Sequence, residues 1–491
     1  GRAFRRLYHG TDPTMRHTAT VRITHWITAF AVAALLLSGV EILISHPRFY
    51  WGETGNVMDT PLFSLPIPSS RSTVPTGFSY VLPDQNGWSR YLHFQSAWLL
   101  LLAGGVYLAA GLRTRHFRDR LWPTRSDATW RVMRSAISKS LRRASPSERE
   151  EWSYNGLQRM TYLGVIFVLF PMVVWTGLAM SDAFAAVSPG LVSALGGRQS
   201  ARTQHFVLPA GPRGDGVPRR LREAGARDDH GADGQSQGEA MSGMSRRTLL
   251  TRGLAAAAGV SGLSVAARLA ERYGLIPPDA GNIYGMGETL TYAANRLIVG
   301  DSPAREFPRH MISTAPFANP SMPGEMFKRL EAGGFADWRL EVGGMVARPL
   351  SLSLPDLRRL PERSQITQLA CEEGWSYIAE WRGAALADVL NAAGLLPGAR
   401  YLAYYSTDPE SWETIDIAEA RHPQTLVTWG MNGNDLPVGF GGPLRLRVPR
   451  QLGYKSLKFL TRVIAVDSVR HLGQGTGGAN PQWGYSWYAG I

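Results

Sequence analysis

Three histidines stand at the ends of long apolar segments: His25 in RITHWIT, His93 in RYLHFQS and His205 in ARTQHFV. Polar side chains at such places commonly snorkel to the headgroups, and for any one of these histidines that role is as good an explanation as a functional one. Ionisable residues near a membrane are nonetheless candidates for function. A b-type haem needs two neutral imidazoles from different helices directed at one iron. The three histidines are therefore candidate haem ligands.

A single cysteine, Cys371, lies in ITQLACEEGWSYIAEW. One cysteine excludes an intramolecular disulfide, a four-cysteine iron–sulfur cluster, a cysteine-based zinc site and a C-x-x-C-H haem attachment. The commonest role of such a residue is a buried, inert thiol. A thiolate also suits a soft metal centre, and the acidic neighbours Glu372 and Glu373 do not favour a free nucleophilic thiolate. Cys371 is therefore a candidate metal ligand.

Three apolar segments must position the histidines, at roughly 25–45, 91–112 and 157–180, and each can cross a hydrocarbon core of ~30 Å. The loop 113–149 is rich in arginine, whereas the loop 46–90 holds few basic residues. The positive-inside rule places the N-terminus and the loop 113–149 in the cytoplasm and the loop 46–90 outside. The net charge of +13 is thus a topology signal, and we expect membrane lipid and no nucleic acid among the partners.

These segments, VRITHWITAFAVAALLLSGV, YLHFQSAWLLLLAGGVYLA and LQRMTYLGVIFVLFPMVVWTGL, resemble the first three helices of the bacterial di-haem cytochrome b family. That family includes the nickel–iron hydrogenase cytochrome b subunit, and the resemblance covers about 15–207. Its members have four helices. The resemblance implies haem b, with His25 as the ligand on the first helix, His93 on the second and His205 as the first of two on the fourth.

The fourth helix is expected from His205 onward, but the segment 208–243 is rich in Gly, Pro, Arg and Asp and cannot span a bilayer. A disordered linker and a reading-frame shift in a GC-rich gene both remain open. If the helix is lost, we expect the chain as written to bind little haem b.

The run MSRRTLLTRGLAAAAGVSGL begins at Met244 and resembles a twin-arginine export signal followed by an apolar segment, 253–267. A chance pair at Arg246 and Arg247 is the alternative. An export signal must be presented in the cytoplasm, so it requires a fourth crossing between His205 and Ser245. The internal position is then explained by an exported enzyme fused behind its membrane partner.

After about residue 275 the pattern becomes that of a mixed domain. WRLEVGGMVARPLSLSLPDLRRLP predicts strands and then a short helix, Asn432-Gly433 predicts a hairpin, and GAALADVLNAAGLLPG predicts a helix closed by Gly394. The predicted fold class is a multi-domain transmembrane α-helical bundle followed by an α+β domain. The predicted domains are 1–207, a linker or frame-shifted segment 208–243, a signal and membrane anchor 244–274, and the α+β domain 275–491.

LACEEGWS, HPQTLVTWGMNGNDLPVGFGGPLRLRVP and LGYKSLKFLTRVIAV resemble the molybdopterin domain of the sulfite oxidase superfamily, over about 337–468. The resemblance implies Mo-molybdopterin, with the Cys371 thiolate on molybdenum and as the catalytic residue. It also implies six further cofactor-binding residues, the last two by weaker matches: Arg445, which reaches the cofactor phosphate, Lys455, Ser456, Lys458, Thr407 and His422.

The chain departs from the superfamily at one position and from sulfite oxidases in two further features. Phe440 replaces the family's His or Asn, the arginine that follows the metal cysteine is replaced by Glu372-Glu373-Gly374, and the chain ends soon after Ser468. Glutamates repel a dianion such as sulfite. The domain is therefore more similar to the periplasmic methionine-sulfoxide-reductase type, in which a membrane haem protein feeds a molybdenum subunit.

The favoured function is a molybdopterin-dependent oxidoreductase in the bacterial inner membrane, with its catalytic domain on the periplasmic side. Electrons from quinol pass through b haem to an oxidised substrate, a sulfoxide or an N-oxide, either as a small molecule or bound in a protein. Two alternatives remain: a periplasmic sulfur-compound oxidase that reduces quinone, and an electron-transfer cytochrome with an inactive molybdopterin-like domain.

Overall fold

The computed structural model describes residues 18–50, 52–71, 77–80, 88–123, 134, 138, 156–179, 270, 275–278, 285–321, 324–482 and 485–488. His205, the segment 208–243, the arginine pair at 246–247 and the segment 253–267 lie outside the described residues, so the predictions made for them stay predictions. The chain divides into two units, one combining Gly1–Val207 with Pro277–Ile491 and the other comprising Leu208–Ile276. All the elements named below belong to the first unit.

Three helices in the described part of the first 207 residues are long and apolar enough to cross a membrane, as predicted. The first is α1 (Ala19–Ser45), the second is α2 (Trp88–Arg113), and the third spans Leu157–Leu178. The third consists of α3 (Gly156–Gly164), a π-helical turn (Val165–Leu169) and α4 (Phe170–Ala179). We call residues 18–179 the membrane domain.

The loop between α1 and α2 carries a short antiparallel ribbon of β1 (Arg48–Phe49) and β2 (Phe63–Ser64). Thr18 caps the start of α1 by accepting a hydrogen bond from the N–H of Val21. His46 ends the helix, and its ring Nδ1 lies 3.1 Å from the carbonyl oxygen of Ile42.

The C-terminal domain begins with helices α5 (Gly285–Ala294), which continues as a π-helical turn (Asn295–Val299), and α6 (Gly324–Ala332). Two five-stranded sheets follow. The strand bounds are β3 (Arg339–Gly344), β4 (Leu350–Ser353), β5 (Glu362–Ala370), β6 (Ser376–Ala385), β7 (Tyr401–Ser406), β8 (Trp412–Asp416), β9 (Leu426–Met431), β10 (Asn434–Asp435), β11 (Arg445–Arg447) and β12 (Leu460–Val466). The helices between and after them are α7 (Leu354–Arg358), α8 (Leu386–Ala393), α9 (Ile417–Ala420) and α10 (Ala479–Gln482).

One sheet has the order β10-β9-β6-β5, with β11 also paired to β9, and all its pairings are antiparallel. The other has the order β4-β3-β12-β7-β8, and there only the β3–β12 pair is parallel. Mixed pairing with helices between strands confirms the α+β class predicted for this region.

Local signals in the sequence are confirmed element by element. The Asn432-Gly433 turn joins antiparallel β9 and β10, with φ of 51° and 84°, as the mirror-image hairpin turn requires. Gly394 ends α8 in the left-handed conformation. Ser353 caps α7 through a reciprocal bond with Asp356. Each of these elements lies where its pattern predicts it.

Three apolar clusters lie in the described part of the C-terminal domain: a minor one of Tyr292, Trp487 and Tyr488, and two that form the main interior. The larger lies between the sheets and α8 and includes Trp338, Leu390 and Leu446, all fully buried. The smaller contains Cys371 together with Trp375, Tyr377, Trp381 and five further residues: Leu369, Ala379, Met431, Leu436 and the partly buried Phe440, with Phe317 packed against it. The sole cysteine thus belongs to a separate aromatic cluster at one end of the β5–β6 hairpin.

Candidate functional site

Cys371 stands at the turn between β5 and β6, in a segment that we call the cysteine loop (residues 371–376). The N–H of Cys371 donates to the carbonyl of Trp375 at 2.9 Å, and the N–H of Gly374 donates back to the carbonyl of Cys371 at 3.1 Å. Gly374 has φ +87°, which a residue with a side chain rarely adopts. These bonds fix the backbone around a cysteine that is 9% exposed.

Arg445, on β11, is one of the cations that the sequence predicts for this site. It is buried, and it donates to the carbonyls of Ser456 and Phe440, each at 2.9 Å, and to the hydroxyl of Tyr377. Within the described part of the chain, no carboxylate pairs with its guanidinium. Burial lowers the pKa of Arg445, while Tyr377 and Cys371 act in the opposite direction. Buried charges normally have a counter-charge, so this one fits an anionic ligand.

Lys458 lies beside Arg445 and is half-buried. Its ammonium donates to the carbonyls of Asn319 at 2.6 Å and Gly439 at 2.8 Å. Burial, reinforced by the charge of Arg445, lowers the pKa of Lys458 to about 7. Two neighbouring cations that face mostly neutral oxygens repel each other, and a phosphate between them would remove that repulsion.

The donor set therefore fits a group that combines a soft metal with a phosphate. Cys371 offers the thiol and belongs to the same apolar cluster as Tyr377, which is hydrogen-bonded to Arg445. Arg445 and Lys458 donate to the adjacent carbonyls of Phe440 and Gly439, so the three side chains lie in one neighbourhood. A thiolate suits molybdenum, while guanidinium and ammonium groups suit a phosphate. The residues present are those that Mo-molybdopterin needs.

Ser456 and Thr407 border this neighbourhood. Ser456 is buried, its carbonyl holds Arg445, and its hydroxyl accepts from the N–H of Val448 at 3.0 Å. Thr407 follows β7, is buried, and donates its N–H to the carbonyl of Phe459, the residue after Lys458. Both predicted residues are thus next to the two cations.

The side chain of Lys455 departs from the expectation that it wraps the cofactor. Its ammonium is fully buried and donates to Glu413 at 2.7 Å and to the carbonyl of Thr414 at 3.0 Å. Its carbonyl accepts from the hydroxyl of Tyr404 at 3.0 Å. This lysine stabilises the packing of β8 against the 454–456 turn, so its charge is already satisfied inside the protein.

His422 has contacts of a different kind from those of Cys371. The ring lies 3.3 Å from the carbonyl of Asp301, and it accepts from the N–H of Gln424. Burial and the nearby Arg450 lower the pKa of His422. The described contacts give it a structural role at the end of α9.

Phe440 and Arg447 also contact the aromatic cluster that contains Cys371. The Phe440 ring packs edge-on against Tyr377 at 5.8 Å, which gives the position an apolar role. Sequence reasoning missed Arg447, although residues two apart on a strand share a face. Arg445 and Arg447 both lie over the ring of Trp381, at 5.5 and 5.3 Å.

Two of the three candidate haem ligands, His25 and His93, lie within the described residues, at opposite ends of the membrane domain. The Nδ1 atom of His93, near the start of α2, is 3.0 Å from the buried hydroxyl of Ser38 on α1. Ser38 follows His25 by thirteen residues, about 20 Å along the helix axis. The exposed His25 is therefore one membrane leaflet away from His93, as the alternating directions of α1 and α2 predict.

A small cleft adjoins the cysteine loop. Arg48, Tyr50 and Asn56 line it from the membrane domain, and Gly374 and Trp375 line it from the cysteine loop. Its walls combine hydrogen-bond donors with one large aromatic surface. No sequence pattern predicts this cleft, because it forms only where two distant segments meet.

Comparison with protein families divides the chain in the same way. The family described as prokaryotic cytochrome b561 matches residues 16–210, and the oxidoreductase molybdopterin binding domain matches residues 329–471. Both resemblances that the sequence predicts are confirmed. With them come the two predicted cofactors, haem b and Mo-molybdopterin.

Individual relatives match one half each. A putative protein-methionine-sulfoxide reductase subunit YedZ1 of Azospira oryzae is 34% identical over 185 residues, which are 38% of this chain and 66% of that protein. The protein-methionine-sulfoxide reductase catalytic subunit MsrP of Xanthomonas axonopodis pv. citri is 35% identical over 147 residues, 27% of this chain and 46% of the relative. The chain thus spans just under two thirds of the first relative and less than half of the second.

Among solved structures, the sulfane dehydrogenase SoxCD of Paracoccus pantotrophus matches with a TM-score of 0.26 and 23% identity, over 27% of this chain and 39% of that one. The two family matches cover separate parts of one sequence, and the first of them contains the membrane-spanning helices. The protein is therefore a membrane protein that joins a prokaryotic cytochrome b561 domain to a molybdopterin-binding oxidoreductase domain in a single chain.

Proposed function

We propose that this chain is a quinol-to-sulfoxide electron-transfer enzyme, with both redox centres in one polypeptide. Electrons from quinol pass through b haem in the membrane domain to Mo-molybdopterin in the C-terminal domain, where a sulfoxide is reduced. The observation that carries the proposal is the direct contact between the membrane domain and the cysteine loop. Relatives of the two halves are named as subunits of protein-methionine-sulfoxide reductases, which supports a sulfoxide as the oxidised substrate.

Each half would contribute its own ligands. Cys371 would hold molybdenum, Arg445 and Lys458 would hold the phosphate of the pterin, and His93 would bind haem iron together with a ligand from beyond residue 179. The Ser38 contact fixes the ring orientation of His93, as partners of ligating histidines do. Bound Mo-molybdopterin supplies two-electron oxygen-atom chemistry, which the side chains alone cannot perform.

The chain's own residues shape where a substrate can approach. Tyr50 lines the cleft beside Gly374, and its hydroxyl is a donor that suits the neutral, strongly accepting oxygen of a sulfoxide. Glu373 also lines this cleft, and its carboxylate makes the cleft unfavourable for a dianion. A neutral oxidised substrate therefore fits the cleft better than sulfite.

The catalytic domain is proposed to lie on the outer side of the bacterial inner membrane. The positive-inside rule places the α1–α2 loop outside. That loop contacts the C-terminal domain: Arg305 pairs with Glu53 at 3.0 Å, and Asn56 donates to the carbonyl of Ala315 at 3.2 Å. Two segments in contact share one side of the bilayer, so the C-terminal domain follows the loop to the outside.

Methionine sulfoxide reduction by the purified full chain, measured with each of two electron donors, tests this function. Methionine sulfoxide should reoxidise reduced viologen, which reaches molybdenum directly, and should also reoxidise a quinol analogue. Failure with both donors would overturn the proposal. Reduction of quinone by an added sulfur compound, with no sulfoxide reduction, would instead support the oxidase alternative.

A further inference from the structure

The cysteine loop receives three separate contacts from the membrane domain. Arg90 of α2 places its Nε atom 3.1 Å from a carboxylate oxygen of Glu372. A Cβ atom on Gly374 would overlap the imidazole of His46, at the end of α1. The N–H of Ser376 donates to the carbonyl of Gly55 at 2.8 Å. Alternate residues of one short loop are therefore held by three different parts of the membrane domain.

The ion pair between Arg90 and Glu372 is largely shielded from solvent, and Arg90 also contacts a second carboxylate. The side chains of Arg90, Glu372 and Glu288 are 16%, 13% and 7% exposed. Arg90 also lies 3.6 Å from Glu288 and donates to the hydroxyl of Ser486, which in turn donates to Glu288 at 2.6 Å. One guanidinium thus joins two carboxylates of the C-terminal domain. Loss of one member of such a buried group leaves uncompensated charge, which is strongly unfavourable.

The same helix turn carries the candidate haem ligand. Arg90 precedes His93 by three residues on α2, a spacing that puts two side chains on one helix face. The next residue, Tyr91, donates its hydroxyl to the carbonyl of Tyr485 at 3.0 Å. A single turn of α2 therefore faces the haem position through His93 and the cysteine loop through Arg90.

We propose that Arg90 is a positioning residue that couples the two redox domains by fixing the cysteine loop against the turn of α2 that carries His93. Its effect on electron transfer rests on the proposed function, whereas its effect on the loop does not. By pairing with Glu372 it holds the residue next to Cys371, and it places a positive charge beside that carboxylate.

Hydrogen–deuterium exchange of the full chain in detergent, without added cofactor, tests the placement. The Ser376 amide is the reporter, because its acceptor belongs to the membrane domain. Arg90→Gln should speed its exchange about tenfold, since truncating one partner of a buried charge pair loosens the contact. Glu372→Gln should have the same effect, and it provides the test if Arg90→Gln does not fold.

The matched control is Arg305→Gln, which removes another arginine–glutamate pair between the same two domains. Arg305 is 40% exposed and its partner Glu53 lies outside the cysteine loop, so Ser376 exchange should stay at the wild-type rate. Unchanged exchange in both Arg90→Gln and Glu372→Gln, or an equal rise in Arg305→Gln, would overturn the proposal.

A second measurement distinguishes a loss of electron transfer between the domains from a general loss of enzyme activity. In Arg90→Gln, quinol-driven sulfoxide reduction should fall about tenfold further than viologen-driven reduction, because only the former crosses between the domains. An equal fall in both rates would overturn the coupling role. Absence of both activities in the wild type would overturn the proposed function, while the exchange result would still decide the placement of the loop.

Discussion

Arg90 of the membrane domain and Glu372 of the C-terminal domain lie 3.1 Å apart, although 282 positions separate them in the sequence. Glu372 follows Cys371 directly, at the place where sulfite oxidases carry an arginine. The sequence alone suggests that this carboxylate repels anions. In the folded chain its charge is compensated by the other domain, so the residue also serves as a contact between the two halves.

We predict that Cys371→Ser abolishes turnover while leaving the haem spectrum unchanged. The thiol is the only sulfur ligand of its kind in the sequence, and a serine hydroxyl is a poor ligand for a soft metal. The haem position on α2 shares no ligand with this site. Viologen-driven sulfoxide reduction and the visible spectrum are the two measurements, and a variant that retains most activity would rule out molybdenum ligation by Cys371.

We predict that Lys455→Met destabilises the C-terminal domain by about 3–5 kcal/mol even without cofactor, because it leaves Glu413 buried and unpaired. Thermal unfolding of the cofactor-free chain measures the change. Lys328→Met is the control: that lysine is exposed and pairs only with exposed Glu325, so little change is expected. A stable Lys455→Met protein that loses only cofactor would show that the ammonium binds the pterin after all.

The lowered pKa of Lys458, about 7, predicts a pH dependence of anion binding. A bound dianion favours the protonated amine, so affinity should fall as the pH rises above 7, by up to about tenfold per unit. Sulfate, which does not titrate in this range, is the probe, and tryptophan fluorescence is the readout because Trp381 stacks on Arg445. Lys458→Arg should remove the dependence, since a guanidinium stays charged.

The stability of the cofactor-free protein should change with pH in the opposite direction to the sulfate affinity. A lysine with a pKa depressed by folding binds its proton more tightly in the unfolded chain. Its contribution to the stability of the cofactor-free protein therefore rises with pH from about 7 towards the unfolded value. Sulfate affinity that stays constant between pH 6 and 8 in the wild type would contradict the assignment of Lys458 to an anion site.

We predict that the C-terminal domain is accessible from outside the cell. Protease added to sealed, right-side-out spheroplasts should digest residues 275–491, because the α1–α2 loop that contacts this domain is the poorly charged, outer loop. A cytoplasmic marker protein must remain intact as the control. Full protection of the domain would rule out this topology.

Local structure followed closely from the sequence. The three spans, the hairpin at Asn432-Gly433 and the end of α8 at Gly394 each depend on neighbouring residues, and each lies where its pattern predicts. The resemblance to known families predicted one cofactor site that combines Cys371 with Arg445. These features were predictable because they depend on residues close together in the sequence or on a fold shared with a known family.

Features that depend on distant segments meeting were not predictable. Nothing near Arg90 in the sequence indicates Glu372, and nothing near Lys455 indicates that its charge is compensated by Glu413. The fourth helix, the frame of the segment 208–243 and the twin-arginine signal remain predictions from sequence. Haem content per chain, together with the gene sequence across that segment, would distinguish a lost helix from an intact one.

The central claim is that Cys371 anchors a molybdenum cofactor in a chain that also spans the membrane. Metal analysis of the purified, detergent-solubilised protein tests it most directly. The account predicts stoichiometric molybdenum in the wild-type chain and its loss in Cys371→Ser, with the fold preserved. Wild-type protein produced in a host that makes the cofactor, yet free of molybdenum, would contradict the claim and leave only an electron-transfer cytochrome.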